Sequence, residues 1–183
     1  MAQSPRPDGH ALSLPLPLRL AVRLVLGLYG LAWRALLPGL KRNERLAEGW
    51  DERTLCAGAP PRADLILHAA SGGEAYLAWE LLGNLPQFLP LNAAPLRVLA
   101  TSFTSQGLGV LTKAKDDLAP GLTLLPAYFP FDLPGPMRGF LDAVQPRAVV
   151  LLETELWPGL MAACREKGVP VLVLNARMTD KSL

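Results

Sequence analysis

Short aliphatic runs alternate with segments of helical spacing along the chain from residue 64 onward. The aliphatic runs are apolar at consecutive positions, which is typical of strands buried on both faces of a parallel sheet. The segments between them carry apolar residues every three or four positions, as amphipathic helices do. The pattern predicts five strands, at residues 64–70, 96–102, 122–128, 148–154 and 169–175. It predicts four intervening helices, at residues 74–85, 104–115, 134–144 and 157–167.

This alternation predicts an α/β fold, because consecutive parallel strands must be joined by crossover connections, which are usually helices. Right-handed crossovers place these helices on both faces of the parallel sheet and give a Rossmann-like sandwich. We assign residues 64–183 to this Rossmann-like domain and residues 1–40 to a separate helical region. Residues 41–63 are interpreted as a linker that can hold a short helix.

The most apolar stretch of the chain, residues 12–40, also carries basic side chains. At about 100° per residue, Arg19, Arg23 and Arg34 fall on one narrow stripe of a helix whose remaining surface is apolar. Such an amphipathic helix can lie in a membrane interface with its arginines at the lipid phosphates. Two alternatives are a spanning helix whose arginines reach towards the surface, and a helix packed on its own domain with its arginines in water.

The composition narrows the class of protein. The chain has 183 residues, of which half are hydrophobic and 19% are charged, and this excludes an intrinsically disordered chain. A formal net charge of +2 argues against a nucleic-acid-binding protein defined by its bulk charge. The two cysteines cannot form a disulfide framework, and no Cys/His cluster has the spacing of a zinc site, so no metal site is predicted.

Polar residues collect where the predicted strands end, which is where parallel α/β sheets bind their ligands. Because the carboxyl ends of parallel strands share one edge of the sheet, we expect these side chains to open onto one crevice. The candidates are Ser71, Gly72, Gly73 and Glu74 after the first strand, Thr101, Thr104 and Gly107 around the end of the second, Glu153 and Glu155 around the end of the fourth, and Asn175 and Arg177 around the end of the fifth.

Several of these residues have both a structural and a functional interpretation. Glu74 can stabilise a helix N-terminus, or it can be a general base that takes a proton from an attacking hydroxyl. Glu153 and Glu155 lie two positions apart, so an extended backbone points both to one side, although one of them can instead cap the following helix. Arg177 can bind a phosphate or carboxylate, or pair with a local acid. His68 lies inside a strand pattern and is expected in the core.

Five sequence motifs occur in the order of one enzyme family: HAASGGE at 68–74, TSFTSQG at 101–107, YFPFD at 128–132, ETELWP at 153–158 and NARMTDKS at 175–182. Together they resemble the amino-terminal domain of the 3-deoxy-D-manno-octulosonate (Kdo) transferases of lipopolysaccharide synthesis. The resemblance implies half of a GT-B glycosyltransferase, in which two Rossmann-like domains face each other across a cleft. The amino-terminal domain would meet the lipid acceptor, and the carboxy-terminal domain would bind the donor, CMP-Kdo.

The resemblance also implies a role for each candidate residue. Glu74 would deprotonate a sugar hydroxyl of a lipid A precursor, which then attacks the anomeric carbon of Kdo while CMP leaves and the configuration inverts. No metal or other cofactor would take part. Ser71, Gly72 and Gly73 would shape the acceptor loop. The other acceptor-binding positions would be Thr101, Thr104, Gly107, Glu153, Glu155, Asn175 and Arg177.

The location and partners follow from the same resemblance. The protein would lie at the cytoplasmic face of the bacterial inner membrane, with the lipid A precursor and the membrane surface as partners. The chain ends at Leu183, near the point where the family's linker to the donor domain begins. We therefore expect this polypeptide alone to be inactive and to need a donor-binding domain on the same or a separate chain. The alternative is a non-catalytic membrane-surface module that binds an anionic glycolipid or a partner protein.

Overall fold

The computed structural model describes residues 15–58, 60–90, 94–118, 120–153 and 155–175. Its strands are β1 (Leu65–His68), β2 (Leu96–Ser102), β3 (Leu122–Tyr128), β4 (Ala148–Leu152) and β5 (Val171–Leu174). Its helices are α1 (Leu16–Leu40), α2 (Glu44–Ala47), α3 (Trp50–Arg53), α4 (Gly72–Asn84), α5 (Ser105–Asp116), α6 (Pro134–Val144) and α7 (Pro158–Lys167). All five strands are parallel, in the order β3-β2-β1-β4-β5. The predicted Rossmann-like α/β fold is confirmed.

The strand order reverses at β1, which pairs with β2 on one side and with β4 on the other. The last residue of β1, His68, is level with Thr101 of β2 and Leu151 of β4. In open α/β sheets such a reversal leaves a crevice outside the carboxyl ends of the central strands. The segments that follow β1, β2 and β4 therefore border the same crevice.

The core has one layer on each face of the sheet, and this explains why the strands are apolar at consecutive positions. Ile66 and its neighbour Leu67 are both fully buried. Ile66 packs with residues of α6 and α7, such as Leu141, whereas Leu67 packs with residues of α4 and α5, such as Leu111. Successive side chains of a strand point to opposite faces, so a sheet covered on both faces needs apolar residues throughout.

Several element boundaries differ from the prediction by one or two residues, and two of these differences bear on the site. Helix α4 begins at Gly72 rather than at residue 74, because the Gly-Gly pair forms the first turn of the helix and Ser71 is its N-cap. Strand β4 ends at Leu152, because Glu153 has a φ of 62°, in the left-handed region. The predicted strand through residue 154 was therefore too long, and the premise that an extended backbone carries both Glu153 and Glu155 was wrong.

The segment before the sheet forms two short helices, α2 and α3, and contributes a buried cation. Arg53 is only 1% exposed. Its Nε and Nη2 donate to the backbone carbonyls of Glu48 and Phe103 at 2.8 and 2.7 Å, and its guanidinium lies 4.2 Å from the centre of the Tyr128 ring. Residues 44–53 thus pack on the carboxyl ends of β2 and β3. The division of the chain at residues 40 and 63 stays a prediction.

Helix α1 contacts the domain through its carboxy-terminal half, and none of its residues is buried. The hydroxyl of Tyr29 donates to Asp132 at 3.0 Å, the ring of Trp33 lies 5.6 Å from that of Phe131, and Gly30 packs against Pro134. Within the described residues, α1 alone is long and apolar enough to cross a membrane.

Candidate active site

Glu74 lies in the first turn of α4, directly beyond β1, and is 9% exposed. Its Oε2 accepts a hydrogen bond from the backbone N–H of Ala70 at 2.6 Å, and its Oε1 accepts one from the Ser71 hydroxyl at 3.1 Å. The Ser71 Oγ in turn accepts from the backbone N–H of Glu74 at 3.4 Å. These reciprocal bonds resemble a capping box, which fixes both the start of the helix and the position of the carboxylate.

A second carboxylate, Glu155, lies close enough to Glu74 for their charges to interact. The pKa of the Glu155 carboxyl is raised, mainly because the group is partly buried. The charges of Glu74 and, to a smaller extent, Glu153 raise the pKa further, whereas the Trp157 side chain lowers it. Two nearby carboxylates resist being ionised together, because each raises the proton affinity of the other. The ends of β1 and β4 therefore bring at least two of the predicted acids to one place.

The predicted residues around the end of β2 are occupied by structural contacts. Thr101 is fully buried, and its Oγ1 lies 3.1 Å from Nδ1 of His68. Thr104 is the N-cap of α5, where its Oγ1 accepts from the backbone N–H of Gly107 at 3.0 Å. A Cβ atom at Gly107 would overlap the Ser102 hydroxyl. Of these three candidates, only Thr104 is exposed.

His68 is a core residue, as the sequence analysis expected. Its ring is fully buried, 4.1 Å from the Phe129 ring centre and 5.5 Å from that of Phe103. Burial lowers the pKa of His68 to about 3, so the imidazole is neutral at physiological pH. The neutral ring is therefore part of the packed core at the end of β1.

The remaining candidates are spread along the same edge. Gly72 is buried against Gln106 of α5, whereas Gly73 is exposed. The backbone N–H of Glu153 donates to the carbonyl of Leu174 at 2.8 Å, which holds the ends of β4 and β5 together. Asn175 follows β5, is exposed and has a φ of 56°. Arg177 lies outside the described residues.

The sequence analysis missed Asp132, a fully buried acid that precedes α6 in the chain. Its carboxylate lies at the N-terminus of α7. Its Oδ2 accepts from the backbone N–H of Gly159 at 2.6 Å and from the Tyr29 hydroxyl at 3.0 Å, and its Oδ1 accepts from the N–H of Leu160 at 2.7 Å. Burial raises the pKa of Asp132, although these hydrogen bonds oppose the shift. A Cβ atom at Gly159 would collide with this carboxylate, so glycine permits the approach.

The predicted membrane arginines line a groove between α1 and the domain. Arg19, Arg23 and Arg34 face the outer surfaces of α6 and α7 across a space of about 960 Å³. The leucines on the opposite side of α1 are exposed. Among the described residues, no group of three or more His, Cys, Asp or Glu side chains is placed to hold a metal ion.

Comparisons with known proteins identify the relatives of this chain. Residues 48–183 match the family described as 3-Deoxy-D-manno-octulosonic-acid transferase (kdotransferase). The chain is 32% identical to the 3-deoxy-D-manno-octulosonic acid transferase of Bordetella pertussis over 170 residues, which are 86% of this chain and 38% of that protein. It is 32% identical to the transferase of the same name from Haemophilus influenzae over 126 residues, which are 69% of this chain and 27% of that protein.

A plant protein is similar to the same degree. The probable mitochondrial 3-deoxy-D-manno-octulosonic acid transferase of Arabidopsis thaliana is 32% identical over 152 residues, which are 82% of this chain and 31% of that protein. The chain thus spans between 27% and 38% of the length of these three relatives.

Proposed function

Because this chain belongs to the 3-deoxy-D-manno-octulosonic-acid (Kdo) transferase family, we propose that it is the acceptor-binding half of a glycosyltransferase that moves Kdo from CMP-Kdo to a lipid A precursor. The observation that carries this proposal is the position of Glu74. Its carboxylate is held by hydrogen bonds at the reversal point of a parallel sheet, beside the acidic segment after β4. That is the place where open α/β sheets bind their substrates.

Glu74 is the proposed general base. A carboxylate has about four lone-pair positions, and the Ala70 N–H and the Ser71 hydroxyl use two of them, so the carboxylate can accept a further proton donor. It takes the proton of an acceptor hydroxyl as the hydroxyl oxygen bonds to the anomeric carbon of Kdo. The bond from that carbon to the phosphate oxygen of CMP breaks, and CMP leaves with the electron pair. Attack from the opposite side inverts the configuration.

The neighbouring acid has a supporting role in this scheme. Because the pKa of Glu155 is raised, this side chain takes up a proton at a higher pH than an ordinary glutamate does. Its protonated form can donate a hydrogen bond to an acceptor sugar. Ser71, Gly73 and Thr104 are the other proposed acceptor contacts at this rim.

The donor belongs to another part of the enzyme in this proposal. CMP-Kdo is bound by a second domain on the same or a separate chain, and residues 1–183 alone do not transfer Kdo. The greater length of the relatives supports this division. The reaction as proposed uses no metal or other cofactor, since the base and the phosphate leaving group account for the proton and the electron pair.

The decisive experiment is a Glu74→Gln substitution in an enzyme that contains both domains. Glutamine preserves the shape of the side chain and can take part in a capping box, but it cannot accept the proton. We expect Kdo transfer to fall by about 10²- to 10⁴-fold, the usual contribution of a general base. Glu80→Gln, an exposed change on the same helix, is the matched control.

The assay measures incorporation of radiolabelled Kdo into a lipid A precursor, with thermal unfolding as the test of folding. Near-normal transfer by a folded Glu74→Gln variant would remove Glu74 from the role of base. An enzyme that binds the lipid but transfers no Kdo, even before substitution, would favour the non-catalytic membrane-surface module instead.

We propose that the protein works at the cytoplasmic face of the bacterial inner membrane. The apolar outer surface of α1 and its basic stripe support a position at the lipid surface. In a vesicle flotation assay, Arg19, Arg23 and Arg34 changed together to Glu should greatly reduce flotation with anionic vesicles, because each change reverses a charge near lipid phosphates. Flotation equal to that of the parent protein would contradict the basic stripe as a lipid contact.

A further inference from the structure

The groove between α1 and the domain is open because only the carboxy-terminal half of the helix is docked. Tyr29, Gly30 and Trp33 hold α1 near the start of α6, and the preceding turns of the helix stand off from the domain. The groove has a volume of about 960 Å³, which is far larger than the small voids that remain between well-packed side chains. Its basic lining residues are Arg19, Arg23, Arg34, Arg138 and Arg165, and its acidic one is Glu166.

The charge of this groove favours a single anionic group. Arg138 pairs with Glu166 at 3.4 Å, whereas Arg19, Arg23 and Arg34 have no carboxylate partner within the described part of the chain. Arg19 and Arg23 are four residues apart on a helix, so their guanidinium groups can reach the same phosphate. A phosphate between them would neutralise charge that the protein itself leaves uncompensated.

The N-terminus of α6 adds to this positive region. Its first turn, at Pro134 and Gly135, lines the groove. The N-cap residue, Leu133, makes no side-chain hydrogen bond to that turn, and the turn contains no acidic residue. Pro134 and Pro136 have no N–H, so this N-terminus offers an anion the N–H of Gly135 and the positive end of the helix dipole. This contrasts with α7, whose first turn is already occupied by Asp132.

The groove is also apolar enough for a lipid. Val22 and Leu26 of α1, together with Leu133 and Ala162 of the domain, lie among the arginines. The outer side of α1 is lined by side chains that are more than half exposed, including Leu20, Leu24, Leu28 and Leu31. A molecule with a phosphate at one end and acyl chains at the other would match the groove, because its chains could lie against these apolar lining residues while the outer leucines of α1 face the bilayer.

We propose that this groove binds one anionic phospholipid of the bilayer surface, with its phosphate at Arg19 and Arg23 and its acyl chains along the apolar groove residues Val22, Leu26 and Leu133. The lipid fills the space between the helix and the domain. The inference rests on the proposed location at a membrane surface, but it does not depend on Kdo transfer.

The test is native mass spectrometry of the protein released from a nonionic detergent after incubation with equal amounts of phosphatidylglycerol and phosphatidylcholine. We expect one phosphatidylglycerol bound per chain in preference to phosphatidylcholine. Changing Arg19 and Arg23 to Ala should weaken this binding about 30-fold, since each arginine contributes about 1 kcal/mol. The matched control changes Arg42 and Arg45 to Ala, which removes the same charge from exposed positions outside the groove.

A second pair of variants tests the shape of the groove without changing its charge. Gly27 lines the groove, and a Cβ atom there would meet nothing within 4 Å, so Gly27→Leu fills the space where the lipid would lie. Ala32→Leu adds a similar side chain to an exposed position of α1 that does not line the groove. Binding should be lost in Gly27→Leu and kept in Ala32→Leu. Circular dichroism checks that all variants remain folded.

Several results would overturn the proposal. Equal losses in the two arginine pairs would mean general attraction to the whole basic region, and full binding by Gly27→Leu would mean that the groove is not the site. Equal retention of phosphatidylcholine would remove the preference for an anionic lipid. Displacement of the lipid by an equal concentration of inorganic phosphate would indicate a free-phosphate site, and stoichiometric displacement by a lipid A precursor would make the groove part of the acceptor site. Glu74→Gln should leave lipid binding unchanged, so the failure of either proposal can be recognised separately.

Discussion

Glu74 and Asp132 are two carboxylates at the same edge of the sheet, and each holds the first turn of a helix. Glu74 belongs to the helix that it caps, and its partners lie three and four residues away. Asp132 caps α7 across 27 and 28 residues of chain and also accepts from Tyr29 of α1. Asp132 is fully buried, whereas Glu74 lies beside Glu155 at the rim of the crevice.

The difference separates a structural acid from a candidate catalytic one. Three donors surround Asp132, and burial leaves it no access to a substrate. Two donors position Glu74, and close to it lies Glu155, whose pKa is raised by burial and by the charge of Glu74; acids with shifted pKa values are common in active sites. The position of a carboxylate at a helix N-terminus therefore does not by itself reveal its role. What distinguishes the two acids is whether the carboxylate is accessible and still has acceptor positions free for a substrate.

The largest effect on stability should come from removing the buried acid. Asp132→Ala leaves the N–H groups of Gly159 and Leu160 and the hydroxyl of Tyr29 without their acceptor. We expect the free energy of unfolding to fall by about 3 kcal/mol, because hydrogen bonds to a charged group contribute about 1.5–3 kcal/mol each and part of the loss is recovered by water. Chemical denaturation in mild detergent measures the change.

The matched control for this change is Asp142→Ala, which removes an exposed acid that pairs with Lys167 on the surface. Exposed ion pairs contribute at most about 1 kcal/mol. If the two variants lost equal stability, Asp132 would not be the structural clamp that the hydrogen bonds indicate.

A smaller effect distinguishes the cap of α4 from its proposed chemistry. Ser71→Ala removes the N-cap hydroxyl and should lower the free energy of unfolding by about 1 kcal/mol. Glu74→Gln should change it by less than about 0.5 kcal/mol, because glutamine can also serve in a capping box. A large loss of stability in Glu74→Gln would make Glu74 primarily structural and place it with Asp132.

The smallest expected effect is a pH dependence of the free energy of unfolding, caused by Glu155 at the rim of the crevice. The pKa of Glu155 is higher in the folded protein than in the unfolded chain, so between these two values the folded state holds more protons. Stability then falls as the pH rises through the interval just above the ordinary glutamate pKa of about 4.3. Glu155→Gln should reduce this fall and stabilise the protein at neutral pH relative to pH 4.

The raised pKa of Asp132 contributes a slope of the same sign, so the pH dependence of Glu155→Gln should be weakened and not abolished. Glu80→Gln, at an exposed position of α4, is the control, and the measurement is denaturant unfolding at a series of pH values. An unchanged pH profile in Glu155→Gln would contradict the raised pKa of Glu155.

The sheet could be predicted because it depends on local patterns. Consecutive apolar residues such as Ile66 and Leu67 indicate a strand covered on both faces, and parallel strands bring their carboxyl ends to one edge by geometry alone. The sequence analysis could therefore identify Glu74 and Glu155 as neighbours. It could not predict the hydrogen bonds of Glu74 or the interaction of its charge with Glu155, because both depend on side-chain orientation.

Asp132 and Arg53 could not be predicted, because their partners lie far away in sequence. Asp132 bonds to residues 27 to 103 positions away, and Arg53 bonds to a carbonyl 50 positions away. A buried ion has no distinctive local pattern, since acids and arginines in exposed loops look the same in sequence. The left-handed backbone of Glu153 was missed for a related reason, because non-glycine residues rarely adopt it.

The contact between Tyr29 and Asp132 also has a mechanical consequence. The same carboxylate that receives the phenolic O–H of Tyr29 receives the first free N–H groups of α7, four and five residues after Glu155. A tilt of the amino-terminal helix therefore pulls on the anchor of the segment that carries this acid. Asp132 is thus the side chain that links the position of α1 to that of the segment beside the crevice.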